Sequence, residues 1–259
     1  MLKAIIFDLD DTLLWDEKSI QEAFRKTCEI AQAKYDVDPD LLEEKVRHHA
    51  RNLYSTYTIY DFTKKIGINP FEGLWGKFDD AGTSFQKMKE VVPQYRKDAW
   101  NKGLKDVGID DNRFAYELAE TFPEKRKKSA FVYEETFQVL DELKDKYKLG
   151  LLTNGSPSLQ QTKLAITPEL IPYFDEIVIS GDFGSGKPDP AIFDYMLSQL
   201  EVKPEEALMV GDNLRTDILG ASKVGIDSVW INHHGEESDN VEPTYEISRL
   251  NEVLNIIDK

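Results

Sequence analysis

The chain opens on a short apolar run that ends in acid. Ala4 to Leu9, AIIFDL, reads as a buried strand leading directly into the turn Asp10-Asp11-Thr12. Its character then changes: from about Asp16 to Arg126 it is rich in helix formers and has no clear strand. The pattern there predicts helices over Ser19–Tyr35, Pro39–Ile66, Phe85–Val107 with a break at Pro93, and Arg113–Phe122. After Phe131 the pattern alternates. It predicts helix Thr136–Tyr147, strand Leu149–Thr153, helix Ser158–Leu164, strand Glu176–Ser180 and helix Ala191–Leu200, then strand Ala207–Val210, helix Thr216–Val224 and strand Asp227–Ile231. Strands separated by helices favour right-handed crossovers and a parallel sheet with helices on both faces. The expected class is α/β, with residues 1–15 and 127–259 forming the sheet-bearing core and 16–126 an all-α insertion after the first strand.

Polar residues fall where that arrangement has use for them. Asp8 and Asp10 end the first strand, Thr153 and Asn154 the second and Asp212 the fourth, and Lys187 follows the third. In a parallel α/β sheet ligands bind outside the carboxyl ends of the strands, so these groups are expected to meet at one edge. The helical insertion leaves from that same edge and is placed to fold over it as a lid, with hinges near Trp15 and Arg126 to Ala130.

The formal charge of -16 argues against nucleic acid and anionic membranes as partners, because both are held by clustered Lys and Arg. It also obliges any site for an anionic substrate to carry its own local cation. The opening apolar run is too short for a signal peptide, and no later stretch approaches the roughly 20 apolar residues that span a bilayer. Cys28 is the only cysteine, which agrees with a reducing, cytoplasmic setting.

Four segments then resemble, in order, the motifs of the haloacid dehalogenase superfamily: Asp8-Leu9-Asp10-Asp11-Thr12-Leu13, Leu151-Leu152-Thr153-Asn154-Gly155, Gly186-Lys187-Pro188-Asp189-Pro190, and Gly211-Asp212-Asn213-Leu214-Arg215-Thr216-Asp217. The resemblance implies a Rossmann-like sheet with a helical cap and a Mg2+-dependent phosphatase. In that reading Asp8 is the nucleophile and forms an aspartyl phosphate, while Asp10 protonates the leaving oxygen and then deprotonates the hydrolytic water. Thr153, Asn154 and Lys187 hold the phosphoryl group. Asp8, the backbone carbonyl of Asp10, and Asp212 hold the metal, with Asn213 and Asp217 around it and Thr12 orienting Asp10. Asp8 and Asp10 lie two apart, so a departure from strand geometry just after Leu9 is expected in order to aim both.

Electrostatics gives those roles a reason. A phosphate monoester is close to a dianion at neutral pH. A carboxylate approaching it to about 4 Å meets a repulsion on the order of 4 kcal/mol per charge pair at an effective dielectric near 20, roughly a thousandfold in rate. A hard divalent ion and a fixed lysine cancel it.

Other features carry blander readings. His48-His49 and His233-His234 lack a third ligand at useful spacing and read as surface residues, and Cys28 as a small core residue. Phe71, Leu74, Trp75, Phe78 and Phe85 read as lid packing, and GDFGSG before Lys187 as a flexible turn rather than a nucleotide loop. A dehalogenase does not require an acid at Asp10. A phosphomutase of the same core and a non-catalytic binding module remain the alternatives. The substrate is expected to be a small phosphate ester, acted on by a monomer or homodimer. Over Tyr60–Gly76 and ISGDFGSGKPD the chain is similar to a bacterial phosphoserine phosphatase-like branch, which ranks phosphoserine ahead of nucleoside monophosphates and sugar phosphates.

Overall fold

The computed structural model describes residues 1–238 and 240–257. The first strand, β1 (Ala4–Phe7), is apolar at every position and buried on both faces, so only a place in the middle of a covered sheet suits it. The sheet is six-stranded in the order β3-β2-β1-β4-β5-β6, with β2 at Lys148–Thr153, β3 at Glu176–Ile179, β4 at Ala207–Gly211, β5 at Asp227–Ile231 and β6 at Tyr245–Ile247. Every pairing is parallel. β1 lies between β2 and β4, with Phe7 opposite Leu151 on one side and Val210 on the other. The strand order turns back at β1 and β4, and that switch point is where such sheets open a crevice.

Alternation along the strands divides the core. Ile5, Phe7, Leu149, Leu151, Leu208 and Val210 pack on one face with Val139, Leu140 and Leu250, whereas Ala4, Ile6, Leu152 and Met209 pack on the other with Ile192, Phe193 and Met196. Between β1 and β2 come α1 (Asp16–Tyr35), α2 (Pro39–Tyr54), α3 (Tyr60–Ile66), α4 (Pro70–Gly73), α5 (Thr83–Asp106), α6 (Asn112–Lys127) and, returning to the sheet, α7 (Thr136–Leu143). α8 (Pro157–Ile166), α9 (Ser180–Phe183), α10 (Pro190–Leu200), α11 (Leu219–Val224) and α12 (Val253–Ile257) follow. Helices α1 to α6 build their own apolar cluster around Phe24, Trp75, Tyr95, Trp100 and Phe122, and Leu159 of α8 enters it from the sheet side. Phe78 and Phe85 are buried there too, Phe71 packs against it, and Cys28 is fully buried within it.

Several expected elements need correction. The single helix over Pro39–Ile66 is two, because Ser55 and Thr56 turn their hydroxyls back onto the carbonyls of Asn52 and Leu53 and end α2 there. The break at Pro93 does not occur: α5 runs through it. The carbonyl that Pro93 deprives of its donor belongs to exposed Lys89, where water can solvate it, while Met88, Val92, Tyr95 and Trp100 bury the opposite side of the same helix. α6 likewise continues through Pro123 to Lys127. Before α11, Leu214–Ile218 winds as a π-helix, and β6 was not foreseen. Among the described residues no helix is long and apolar enough to cross a membrane.

Candidate active site

The backbone leaves strand geometry after Phe7, two residues earlier than expected, and Asp11 takes the left-handed conformation at φ 56°. The acidic turn therefore bends back over the sheet edge, and Leu13 and Leu14 amides close it on the Leu9 carbonyl. Asp8, in the centre of the sheet, is buried, and Lys187 Nζ stands 2.5 Å from its Oδ1. The same ammonium lies 2.7 Å from Asp217 Oδ1 and donates to the Leu152 carbonyl at 2.7 Å. Burial works to lower the Lys187 pKa, but Asp217 and Asp8 outweigh it and hold the group charged.

One lysine does not neutralise what surrounds it. Carboxylate oxygens of Asp8, Asp212 and Asp217 all lie within 4.8 Å of one another. Burial pushes Asp8 up to about 7 against the opposing pull of Lys187, with Asp217 and Asp10 adding repulsion. Asp212 is raised well above the usual carboxylate range by burial and then by Asp8 and Asp217. Three oxygen donors crowded at this spacing, with excess negative charge, fit a hard divalent cation. Gly211 permits the crowding: a Cβ there would come within 2.4 Å of Asp217 Oδ2.

Thr153 ends β2 fully buried beside this cluster. Asn154 does not turn its side chain to the same place. Its Oδ1 accepts from the Lys187 amide at 2.8 Å and its Nδ2 donates to the Lys187 carbonyl at 3.0 Å, so it braces the lysine loop and leaves only its backbone N–H for an anion. Asn213 is exposed. Its side chain caps the following turn through Arg215 N, and its amide donates to Asp217 Oδ2 at 3.1 Å. Thr12 needs correction as well: its hydroxyl points toward Asp212 Oδ1, 3.4 Å away, and not toward Asp10.

Asp10 is held instead by residues that the sequence reading passed over. Lys163 Nζ lies 2.7 Å and Gln160 Nε2 3.1 Å from its Oδ2. Lys163 also meets Glu72 Oε1 of the helical block at 2.9 Å and Asp16 Oδ1 at 3.9 Å, and Arg126 pairs with Asp16. Burial opposes charge on Lys163, and Asp10, Asp16 and Glu72 overcome it and raise the pKa. Pairings that join residues this far apart in the chain leave no mark in a single sequence. The available signal was position: α8 starts just after Thr153, so its first turns must stand beside the site.

The helical block covers the sheet edge. Asp80 accepts from Ser156 Oγ at 2.6 Å, Ser158 N at 2.6 Å and Ser158 Oγ at 2.9 Å, at the start of α8. Gly186 N donates to Lys65 O, and Ser180 Oγ to Ile66 O. Gly67, at φ 76°, lies so close that a Cβ would meet the Asn154 side chain at 2.6 Å. At the two connections Trp15 stacks on Tyr133 at 5.3 Å, Tyr133 on His233 at 4.7 Å, and Trp15 N donates to Phe131 O. His233 is thus a packed residue whose Nε2 lies 2.8 Å from the Asp11 carbonyl, while His48 and His49 stand beside each other on the surface, with His49 against Asp106.

A parallel sheet carrying these acids at its central strand ends, under a helical block, defines the class: a doubly wound α/β protein with a cluster of aspartates at its switch point. The family model for haloacid dehalogenase-like hydrolases matches residues 2–225, so the chain belongs to that family. It is 33% identical over 255 residues to a phosphoserine phosphatase of Thermus thermophilus, covering 98% of each chain. It is 29% identical to a glyceraldehyde 3-phosphate phosphatase of Methanopyrus kandleri, covering 99% of this chain and 97% of that one. The HAD-hydrolase YfnB of Bacillus subtilis, solved with magnesium, shares the fold at a TM-score of 0.67 and 23% identity, over 100% of this chain and 99% of that one. The chain is an enzyme of this family's phosphatase kind.

Proposed function

We propose that the protein is a Mg2+-dependent phosphomonoester hydrolase that works through an aspartyl phosphate on Asp8, with phosphoserine as substrate. The observation that carries the reading is Asp8 itself, a buried central carboxylate with a fixed ammonium against it and the carboxylates of Asp212 and Asp217 within 4.8 Å. Asp8, Asp212 and the backbone carbonyl of Asp10 would hold Mg2+, with Asp217 beside them. The ion supplies positive charge that offsets the approach of a carboxylate to an anionic ester.

The chain's own groups account for the rest. A carboxylate oxygen of Asp8 attacks phosphorus in line, and the bond from phosphorus to the ester oxygen breaks. Asp10 gives that oxygen its proton and, now a carboxylate, takes one from the water that attacks the phosphorus of the aspartyl phosphate, returning Asp8. Lys187 stays beside Asp8 throughout as a fixed point charge. The Thr153 hydroxyl and the adjacent backbone N–H groups hold phosphoryl oxygens. Residues 16–126 act as a lid on the core formed by 1–15 and 127–259, and closure excludes bulk water while the phosphoryl group passes to Asp8.

Phosphoserine is supported by the Thermus relative, whose match runs the length of both chains. The test is a kinetic screen of the purified protein, with and without Mg2+, against phosphoserine, nucleoside monophosphates, sugar phosphates and glyceraldehyde 3-phosphate. Phosphoserine should have the highest kcat/KM. A higher value for another ester replaces the substrate, and no turnover of any ester with Mg2+ present overturns the reaction class.

A further inference from the structure

In the proposed cycle Asp10 carries two proton transfers, and its neighbours Lys163 and Gln160 have no assigned part. Both project from α8, three residues apart and so on one face of the helix. Each puts a donor on the same oxygen of Asp10, Oδ2, at 2.7 Å and 3.1 Å. The other oxygen, Oδ1, is buried and has no hydrogen-bond partner. The terminal torsion of an aspartate is soft, so a carboxylate without such anchors samples a broad range of orientations. Here one oxygen is tethered twice and the other is left bare, which is the arrangement a group needs if it is to pass a proton through one defined atom.

The tether reaches into the helical block. Lys163 Nζ also contacts Glu72 Oε1 at 2.9 Å, and Glu72 is itself fixed, its Oε2 accepting from the Asn69 amide at 2.9 Å in the turn that starts α4. The ammonium thus stands between a core carboxylate and a lid carboxylate, and lifting the lid removes one of its anchors. Gln160 Nε2 in turn lies 2.6 Å from the Thr153 hydroxyl, joining Asp10 to the end of β2.

We propose that Lys163, assisted by Gln160 and fixed by Glu72 of the lid, is the positioning residue for Asp10. It holds Oδ2 so that Oδ1 faces the oxygen leaving phosphorus. The inference rests on the phosphatase reading and on Asp10 as the proton donor. A purely structural Lys163, one that only ties lid to core, would be felt equally by every substrate. A positioning Lys163 matters only where the leaving oxygen needs a proton.

The test compares an alkyl phosphate, phosphoserine or glycerol phosphate, with p-nitrophenyl phosphate, whose nitrophenolate departs without protonation. The quantity is kcat/KM, which reports the steps up to release of the leaving group. Positioned proton transfer contributes about 10²–10⁴, so Lys163→Met should lower kcat/KM for the alkyl ester on the order of a hundredfold and for the nitrophenyl ester less than about fivefold. Asp10→Asn should show the same dependence on leaving group. Gln160→Met, which removes the weaker donor and leaves the buried charges intact, should show it at roughly a tenth of the size. It carries the test if Lys163→Met does not fold. Equal losses on the two esters in a folded variant, or no loss on either, overturn the proposal while the phosphatase reading stands. Where another alkyl ester is the better substrate it takes the place of phosphoserine in the comparison, and a native enzyme that turns over no phosphate ester with Mg2+ present overturns that reading, and this inference with it.

Discussion

Lys187 and Lys163, both buried, divide the carboxylates of the site between them: Asp8 and Asp217 to the first, Asp10 and Glu72 to the second. In the proposed cycle this gives the attacking carboxylate and the proton-carrying one a cation each, so neither depends on the other's counter-ion. Asp8→Asn keeps the shape of the side chain and removes the attacking charge, so turnover of any ester should fall at least about a thousandfold with the circular dichroism spectrum unchanged. The same variant should report on the crowding of charge. Burial raises Asp8 from 3.8 to about 7, so the folded state binds the extra proton and the carboxyl's contribution is most favourable below about 4 and is lost as pH rises through about 7. Without divalent ions, Asp8→Asn should therefore gain stability over the native chain between about pH 4 and 7. Denaturation midpoints that keep a constant difference across that window would refute the assignment.

The elements explain how a helical insertion can serve a site built on strands. α8 is the shared piece: Ser156, which caps it, and Ser158 in its first turn donate to Asp80, its Leu159 enters the apolar cluster of α1 to α6, and its Lys163 meets Glu72. The helical block and the sheet-bearing part thus meet on one helix that also borders Thr153. A disulfide between Asp80→Cys and Ser158→Cys should hold the lid shut. Oxidised protein should lose more than about tenfold in kcat, and a reductant should restore it. Cys28 is fully buried in the helical cluster and will not compete for the pairing. Turnover unchanged by a crosslink verified by mass spectrometry would exclude lid motion from the cycle.

At the scale of the whole molecule the formal charge of -16 sets the background against which an anionic substrate must bind. Asp8, Asp212 and Asp217 come together in the folded state and not in the unfolded chain, so a divalent ion held there, Mg2+ in the proposed function, would be a ligand of the fold as well as of the reaction. Ion at about a hundred times its Kd stabilises by about 2.7 kcal/mol, so Tm should rise on the order of 5–10 °C. The rise should exceed that given by NaCl of equal ionic strength and should disappear in Asp212→Asn. An equal rise in that variant would place the ion elsewhere.

The sequence by itself determined the alternation of strands and helices, the insertion after β1, and which acids, hydroxyl and lysine stand at the strand ends. Each of these follows from local pattern: period, apolar runs and polar residues where a run stops. Tertiary structure alone decided the rest. Whether Pro93 ends its helix depends on which carbonyl loses its donor and on what the opposite face buries. Which residue serves Asp10 depends on distance across the fold: Thr12, two residues away, turns to Asp212, and Lys163, from another helix, takes its place. Burial turns such remote contacts into strong ones, because a charge withdrawn from water must find its partner wherever the packing has put it.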